Sequence, residues 1–197
     1  LPPVSHCMSD GQYSRKAEKV KDIAATSRLL NPREDAIMRA VHGGSIMEKQ
    51  PNSRMCFVCG IDNPIGLHLK FYTDDDGHCI ARFRPKPEHQ GYPGQLHGGL
   101  ISSLLDETMG RVLTSDNVWA MTGRLEIKFR KPVPLDQELT VVGELTRSRS
   151  RAYEARGEIR LPDGTALVEG SGTYIRIPDE VVEQAKSELD FWQVVPD

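Results

Sequence analysis

One helical stretch, residues 97–113, and the segments that follow it limit what this chain can fold into. Leu100, Ile101, Leu104, Leu105, Thr108 and Val112 recur there as a helical stripe, the one strongly apolar helix in the sequence. The segments after it alternate with a period of two. In 121–131, Gly123, Leu125, Ile127 and Phe129 oppose Thr122, Arg124, Glu126, Lys128 and Arg130. In 138–147, Leu139, Val141, Gly143 and Leu145 oppose a polar set, and in 152–161 so do Tyr153, Ala155, Gly157, Ile159 and Leu161. Such alternation with one charged face makes an antiparallel sheet wet on one side. The dry side must be covered, and the 97–113 helix is the element available to cover it.

The remaining strands fit the same plan. Residues 67–73 and 78–84 flank Asp74-Asp75-Asp76-Gly77, a hairpin turn, and Pro162-Asp163-Gly164 turns the chain into a last strand at 165–177. Two strands, a central helix and four further strands describe an α+β hotdog fold, an antiparallel sheet wrapped around one central helix. A single buried helix leaves a thin core, and sheets of this kind commonly continue across a dimer. This domain is expected over 52–178, with a C-terminal helix and tail over 179–197 in which Phe191 and Trp192 pack the helix down. Residues 1–13 are expected to be disordered. Residues 14–51 form an N-terminal helical extension, with helices at 14–30 and 33–41 separated by Asn31-Pro32. The cations Arg15, Lys16, Lys19 and Lys21 interleave with Glu18 and Asp22, as on a solvated helix face.

Composition excludes several function classes. The chain has 197 residues, a net charge of −3 and a pI near 6.1, so nucleic acid is not expected as a partner. No apolar run approaches the ~18 residues of a membrane span. The first residues carry neither the charged start nor the apolar stretch of a signal peptide, so a cytoplasmic location is expected. The four cysteines, Cys7, Cys56, Cys59 and Cys79, make no disulfide framework. Cys56 and Cys59 have metal-ligand spacing, but zinc wants four ligands, and His68, His78, Cys79 and His89 are scattered. A redox pair would open a helix, whereas a glycine and a proline-containing turn follow here. The pair is therefore expected as two small residues in a tight turn, with no metal and no cofactor.

The start of the 97–113 helix carries the chemistry. A Gly- and Pro-rich loop from Glu88 leads into His97-Gly98-Gly99. The first N–H groups of a helix lack internal partners and sit at the positive end of its dipole. With no side chains at Gly98 and Gly99, that end can hold a polarised carbonyl or an oxyanion. Asp106 lies off the apolar stripe between the small residues Ser102 and Gly110, a carboxylate with room beside it. The two features are roughly 12 Å apart on one helix, at 1.5 Å per residue. That is too far to act on one small group, but helices from two subunits could combine them. Taken alone, Gly98-Gly99 could be a plain turn and Asp106 a solvated residue. His42-Gly43-Gly44 repeats the tripeptide with Pro51 close behind and no apolar helix after it, and is read as a decoy. Glu107 points about 100° away from Asp106 around the helix and is given no role.

Three stretches resemble the PaaI-like branch of the hotdog-fold acyl-CoA thioesterases. They are Gly94-Gln95-Leu96-His97-Gly98-Gly99 running on to Asp106, the strand from Ala120 to Pro134, and Cys56 to Leu67 with Asn63. The resemblance covers roughly 52–178. It implies that the Gly98 N–H and the helix dipole hold the thioester oxygen. Asp106 of the other subunit would be the general base on a water, or the nucleophile, and Thr122 would position that water. His97 would shape the helix start, and Gly99 would lie against the substrate. The family often has Asn or Gln seven residues before the first glycine; here Gly91 stands there, with Gln90 beside it and Gln95 nearby as carbonyl-binding candidates. Thr122 falls on the polar face of its strand, in tension with this role. Phosphates of the coenzyme would meet Arg147 and Arg149, beside Arg151 on a hairpin edge, residues that could equally be solvated.

The implied activity is hydrolysis of an acyl-CoA to free acid and CoA by a homodimer or homotetramer (a dimer of dimers), with acyl-CoA as substrate. Asp106 and Thr122 favour the enzyme. The competing reading is a non-catalytic acyl-CoA-binding sensor or regulator, kept open by the helical extension. A hydratase-type lyase ranks last, since it needs a His and an acid converging on the acyl carbons.

Overall fold

The computed structural model describes residues 47–189 and 191–196. All of them fall in one compact unit, Met38–Asp197. The disorder expected at 1–13, the helices at 14–30 and 33–41 and the tripeptide at 42–44 lie outside the described residues.

The chain runs through short strands β1 (Glu48–Lys49), β2 (Asn52–Ser53) and β3 (Phe71–Thr73), then β4 (Cys79–Phe83). Helix α1 (Gly98–Gly110) follows, then the long strands β5 (Ala120–Phe129), β6 (Leu139–Ser148), β7 (Ala152–Arg160) and β8 (Ala166–Arg176). A second helix, α2 (Asp179–Leu189), and a short strand β9 (Trp192–Gln193) end it. Seven strands pair antiparallel in the order β1-β3-β4-β6-β7-β8-β5. Helix α1 packs on one face of that sheet and touches β4 through β8, the hotdog arrangement expected from the alternation. Among the described residues no helix is long and apolar enough to cross a membrane.

The stripe that predicts α1 is the one it buries. Ile101, Leu104, Leu105, Thr108 and Met109 are inside, and Val112 and Leu113 continue the contact in a 3-10 turn at Arg111–Leu113. Each large apolar side chain removed from water in this way contributes about 1.5–3 kcal/mol. The helix comes close because the sheet has a trough of glycines. Gly143, Gly157 and Gly170 are cross-strand partners on β6, β7 and β8. A Cβ on Gly143 would come within 2.7 Å of the Thr108 carbonyl oxygen, and one on Gly157 within 2.8 Å of Met109 Cγ. Alanine there would force the helix off the sheet.

The strand expected at 67–73 survives only as Phe71–Thr73. Residues before it are tied instead to the Cys56–Cys59 turn, with Leu67 N–H donating to Phe57 O and Leu69 N–H to Val58 O. Outside the expected strands, β1 adds an edge to the sheet by pairing with β3, and β9 pairs with β2. Trp192 consequently packs on Trp119, with ring centroids 5.6 Å apart, and over the Arg111 guanidinium. At the other edge of the sheet, β5 leaves Met121 and Phe129 exposed.

Candidate active site

Two elements bring the site together: α1 and the start of β5. A β-bulge between Thr122 and Arg124 resolves the tension over Thr122. Thr122 pairs with Tyr174 and Leu125 with Gly172, so two residues on β5, Gly123 and Arg124, stand against the single Thr173 on β8. The extra residue turns Thr122 to the helix side while Leu125 stays there too. Simple alternation, carried through Gly123, puts Thr122 on the wrong face.

Thr122 Oγ1 donates to Asp106 Oδ1 at 2.8 Å. Tyr174 OH lies 3.1 Å from the Asp106 backbone oxygen and 3.3 Å from Oδ1. Tyr174 is buried, and burial together with the Asp106 charge pushes its phenol above the ordinary range. It therefore remains a proton donor to the carboxylate. Asp106 is thus held by two neutral hydroxyls, and its second oxygen has no described donor. It lines a cavity of about 600 Å³ with Glu107, Thr122, Trp119, Tyr174 and Trp192. Tyr174 is the residue missed by reading the sequence; its signal is the bulge, since an outward Thr122 gives no reason to look at its partner on β8.

The loop before α1 is built from its own polar groups. His97 caps the helix by accepting the Gly99 N–H on Nδ1 at 2.9 Å, a shaping role. Gly99's N–H is thereby used, and that of Gly98 is left at the positive end of the helix. Phe129, at the far end of β5, lies beside Gly98, 3.7 Å from where a Cβ would stand. Gln90 Oε1 accepts the Gly94 N–H at 2.8 Å, and Gln95 bridges to Pro134, so both glutamines hold the loop. Gly91 packs closely on His97, since a Cβ would come within 3.1 Å of His97 Cα.

Arg147 and Arg149 sit at the β6–β7 hairpin tip. Both are exposed, and Arg147 lies 3.9 Å from Glu154. Register places Ser148, Tyr153, Tyr174 and Thr122 in one row across four strands. The hairpin tip is therefore at the same end of the sheet as Asp106, about 14 Å away at three strand spacings.

Two groups of side chains could hold a cation by geometry: Cys56 with Cys59 and Glu107, and Asp74 with Asp76 and His78. In the second, Asp74 already accepts from the backbone of Asp76 and His78 and pairs with the His78 ring, closing the hairpin turn.

Residues 93–168, which hold α1 and most of the four long strands, match the family model of the thioesterase superfamily. The sequence is 28% identical over 137 residues to acyl-coenzyme A thioesterase THEM4 of Bos taurus, covering 68% of this chain and 56% of that protein. It is 27% identical over 135 residues to the Mus musculus protein of that name, covering 68% and 58%. The chain thus spans little more than half the length of these relatives. Among solved structures, the domain resembles a thioesterase superfamily protein with 25% identity and a TM-score of 0.60, over 84% of this chain and 73% of that one. It shares its fold with the E. coli PaaI protein, at 19% identity and a TM-score of 0.54, over 57% and 81%.

Proposed function

We propose that this protein is an acyl-CoA thioesterase that works as a dimer, hydrolysing the thioester to a free acid and CoA without a cofactor. The observation that carries the reading is the Asp106 carboxylate, oriented by Thr122 and Tyr174 at a cavity large enough for an acyl group. The names of the THEM4 relatives support the substrate class.

The thioester oxygen accepts the Gly98 N–H, where the helix dipole favours developing negative charge. Asp106 takes a proton from a water, and the hydroxide adds to the carbonyl carbon. Collapse of the tetrahedral intermediate breaks the C–S bond; the CoA thiolate leaves and takes up a proton. Thr122 and Tyr174 donate to Asp106, which fixes the lone pair that faces the water. His97 keeps the helix start in shape, Gly99 leaves it open, and Gln90 and Gln95 hold the loop that the carbonyl approaches. On this reading Arg147 and Arg149, exposed at the hairpin tip, meet the phosphates of the coenzyme.

A dimer completes the site. Gly98 lies beside Phe129 at one end of β5, and Asp106 is bonded to Thr122 at the other. Pairing β5 antiparallel with the β5 of a second copy brings each Phe129 end toward the partner's Thr122 end. The open helix start of one subunit then approaches Asp106 of the other, closing a gap that one helix leaves at roughly 12 Å. Exposed apolar Met121 and Phe129 on an edge strand fit such burial.

The test is CoA release from a panel of short, long and aromatic acyl-CoAs by wild type and Asp106→Asn. Turnover that depends on Asp106 is expected. Binding without release by wild type would make the domain an acyl-CoA sensor.

A further inference from the structure

By spacing, Cys56 and Cys59 are two small residues of a turn; the structure surrounds them with polar groups. The sulfurs of both and a carboxylate oxygen of Glu107 lie within 4.8 Å of one another. Cys56 Sγ accepts the Val58 N–H at 3.3 Å and the Cys59 N–H at 3.4 Å, and Ser53 Oγ is 3.5 Å from Cys59 Sγ. The turn is fixed by the Gly60 N–H bond to Cys56 O, so close that a Cβ on Gly60 would come within 2.3 Å of that oxygen. Cys59 is 1% exposed and Cys56 half-buried, so a reagent meets Cys56 first.

We propose that Cys56 and Cys59 are an oxidisable dithiol, closed to a disulfide by a hydroperoxide and coupled through Glu107 to the Asp106 turn of α1. The Cys56 S–H donates to Cys59, and Arg111 faces it; together they hold the Cys59 thiol well below its ordinary range. The pair therefore carries one proton between two sulfurs, and Cys56 reacts as thiolate when that proton rests on Cys59. Cys56 thiolate attacks a peroxide oxygen, the O–O bond breaks, and a sulfenic acid forms as the leaving hydroxide takes the Cys59 proton and becomes water. Cys59, now thiolate, attacks the Cys56 sulfur; the S–S bond forms, the S–O bond breaks, and the leaving hydroxide takes a proton from solvent as a second water. Two thiols are oxidised by two electrons and one peroxide is reduced. A zinc site fits less well, because the described residues bring only three ligands together and Glu107 already accepts from Arg111 Nε at 2.8 Å.

Oxidation removes the negative sulfur that faces Glu107 and Arg111, leaving Glu107 alone to meet the buried cation. Glu107 follows Asp106 and lines the same cavity, so the change reaches the catalytic turn. This coupling to turnover rests on the thioesterase reading; the disulfide does not.

The experiment treats the reduced, metal-analysed full chain with hydrogen peroxide. Expected are loss of the mass of two hydrogens and a Cys56–Cys59 linked peptide, absent in Cys56→Ser and in Cys59→Ser. Both thiols persisting, overoxidation of Cys56 without linkage, or one zinc per chain would each overturn the dithiol. CoA release should fall roughly tenfold on oxidation, within the range of couplings between sites, and recover with dithiothreitol. In the Cys56→Ser/Cys59→Ser double variant peroxide should leave the rate unchanged. A linked peptide with unaltered turnover would overturn the coupling. Linkage in a protein that releases no CoA even when reduced would count against the thioesterase reading alone.

Discussion

Asp106 and Glu107 are adjacent carboxylates on one helix, and their surroundings differ in kind. Asp106 accepts from two neutral hydroxyls and faces the cavity. Glu107 accepts from the Arg111 guanidinium, itself buried between Phe71 and Trp192. Burial raises the Glu107 carboxyl against the pull of Arg111. Neutral donors orient a carboxylate and leave its charge available to a water, whereas a cation consumes that charge in an ion pair. On the proposed reading, a helical step of about 100° is enough to separate a reacting group from a supporting one.

The largest effect expected from breaking this contrast is on rate. Asp106→Asn should lower kcat by about a thousandfold or more, the upper part of what a positioned base supplies, with the dimer intact by light scattering. Near-normal turnover would remove Asp106 from the mechanism. Phe129→Glu tests whether only Asp106 needs the partner. It should yield a monomer and a loss of about a hundredfold in kcat, since one oxyanion donor is worth that much. An active monomer would mean that one chain holds a complete site.

Glu107→Gln should act on stability instead. Arg111 would be left buried with the Cys59 sulfur as its remaining counter-charge, costing about 3 kcal/mol, the low end for a broken buried pair. Urea unfolding measures this. A loss of kcat as large as that of Asp106→Asn, with no loss of stability, would reverse the roles of the two residues.

Tyr174→Phe separates the two hydroxyls that hold Asp106. Thr122 remains, so the carboxylate keeps one donor. About a tenfold drop in kcat with KM little changed is expected, the cost of one lost hydrogen bond near 1.4 kcal/mol. Equal kcat in both would leave Tyr174 as a packing residue.

How much of this was legible beforehand depended on period. The α1 stripe and the strand at 152–161 were visible because each buries one face; the strand at 138–147 showed through its alternating apolar positions although Leu139–Gly143 are buried in a row, and the one at 165–177 through the turn before it. Gly143 and Gly157 already stood among inward positions, yet the trough they make under Met109 depends on cross-strand register, which no single strand displays. The bulge at Gly123 was hidden for a related reason: one inserted residue inverts the alternation locally, so Thr122 looked solvent-facing. Tyr174 and the Glu107–Arg111–Cys59 group join residues far apart in sequence. Leu67–Lys70 had strand composition but lost its ladder to the Cys56–Cys59 turn, a tertiary choice. His97, Gly98 and Asp106 were readable because their relation lies within one helix.

A further effect is pH-dependent and sharpens the Glu107 side of the contrast. Cys59 has its thiol lowered from the ordinary 9.0 toward about 5 in the folded protein, first by the Cys56 S–H. A group with a depressed folded pKa adds stability that is complete above its unfolded pKa and is lost as pH falls through the folded one. Cys56, raised in the fold, stays protonated folded and unfolded below pH 9 and adds nothing in that window. The stability gap between wild type and Cys59→Ser should therefore narrow as pH drops from about 8 to about 5.5, by denaturant unfolding under reducing conditions. Asp106→Asn, set in its own hydroxyl pair, should not change that slope. A gap independent of pH would mean that Cys59 is an ordinary buried thiol, and that Glu107 is the only anion Arg111 has to meet.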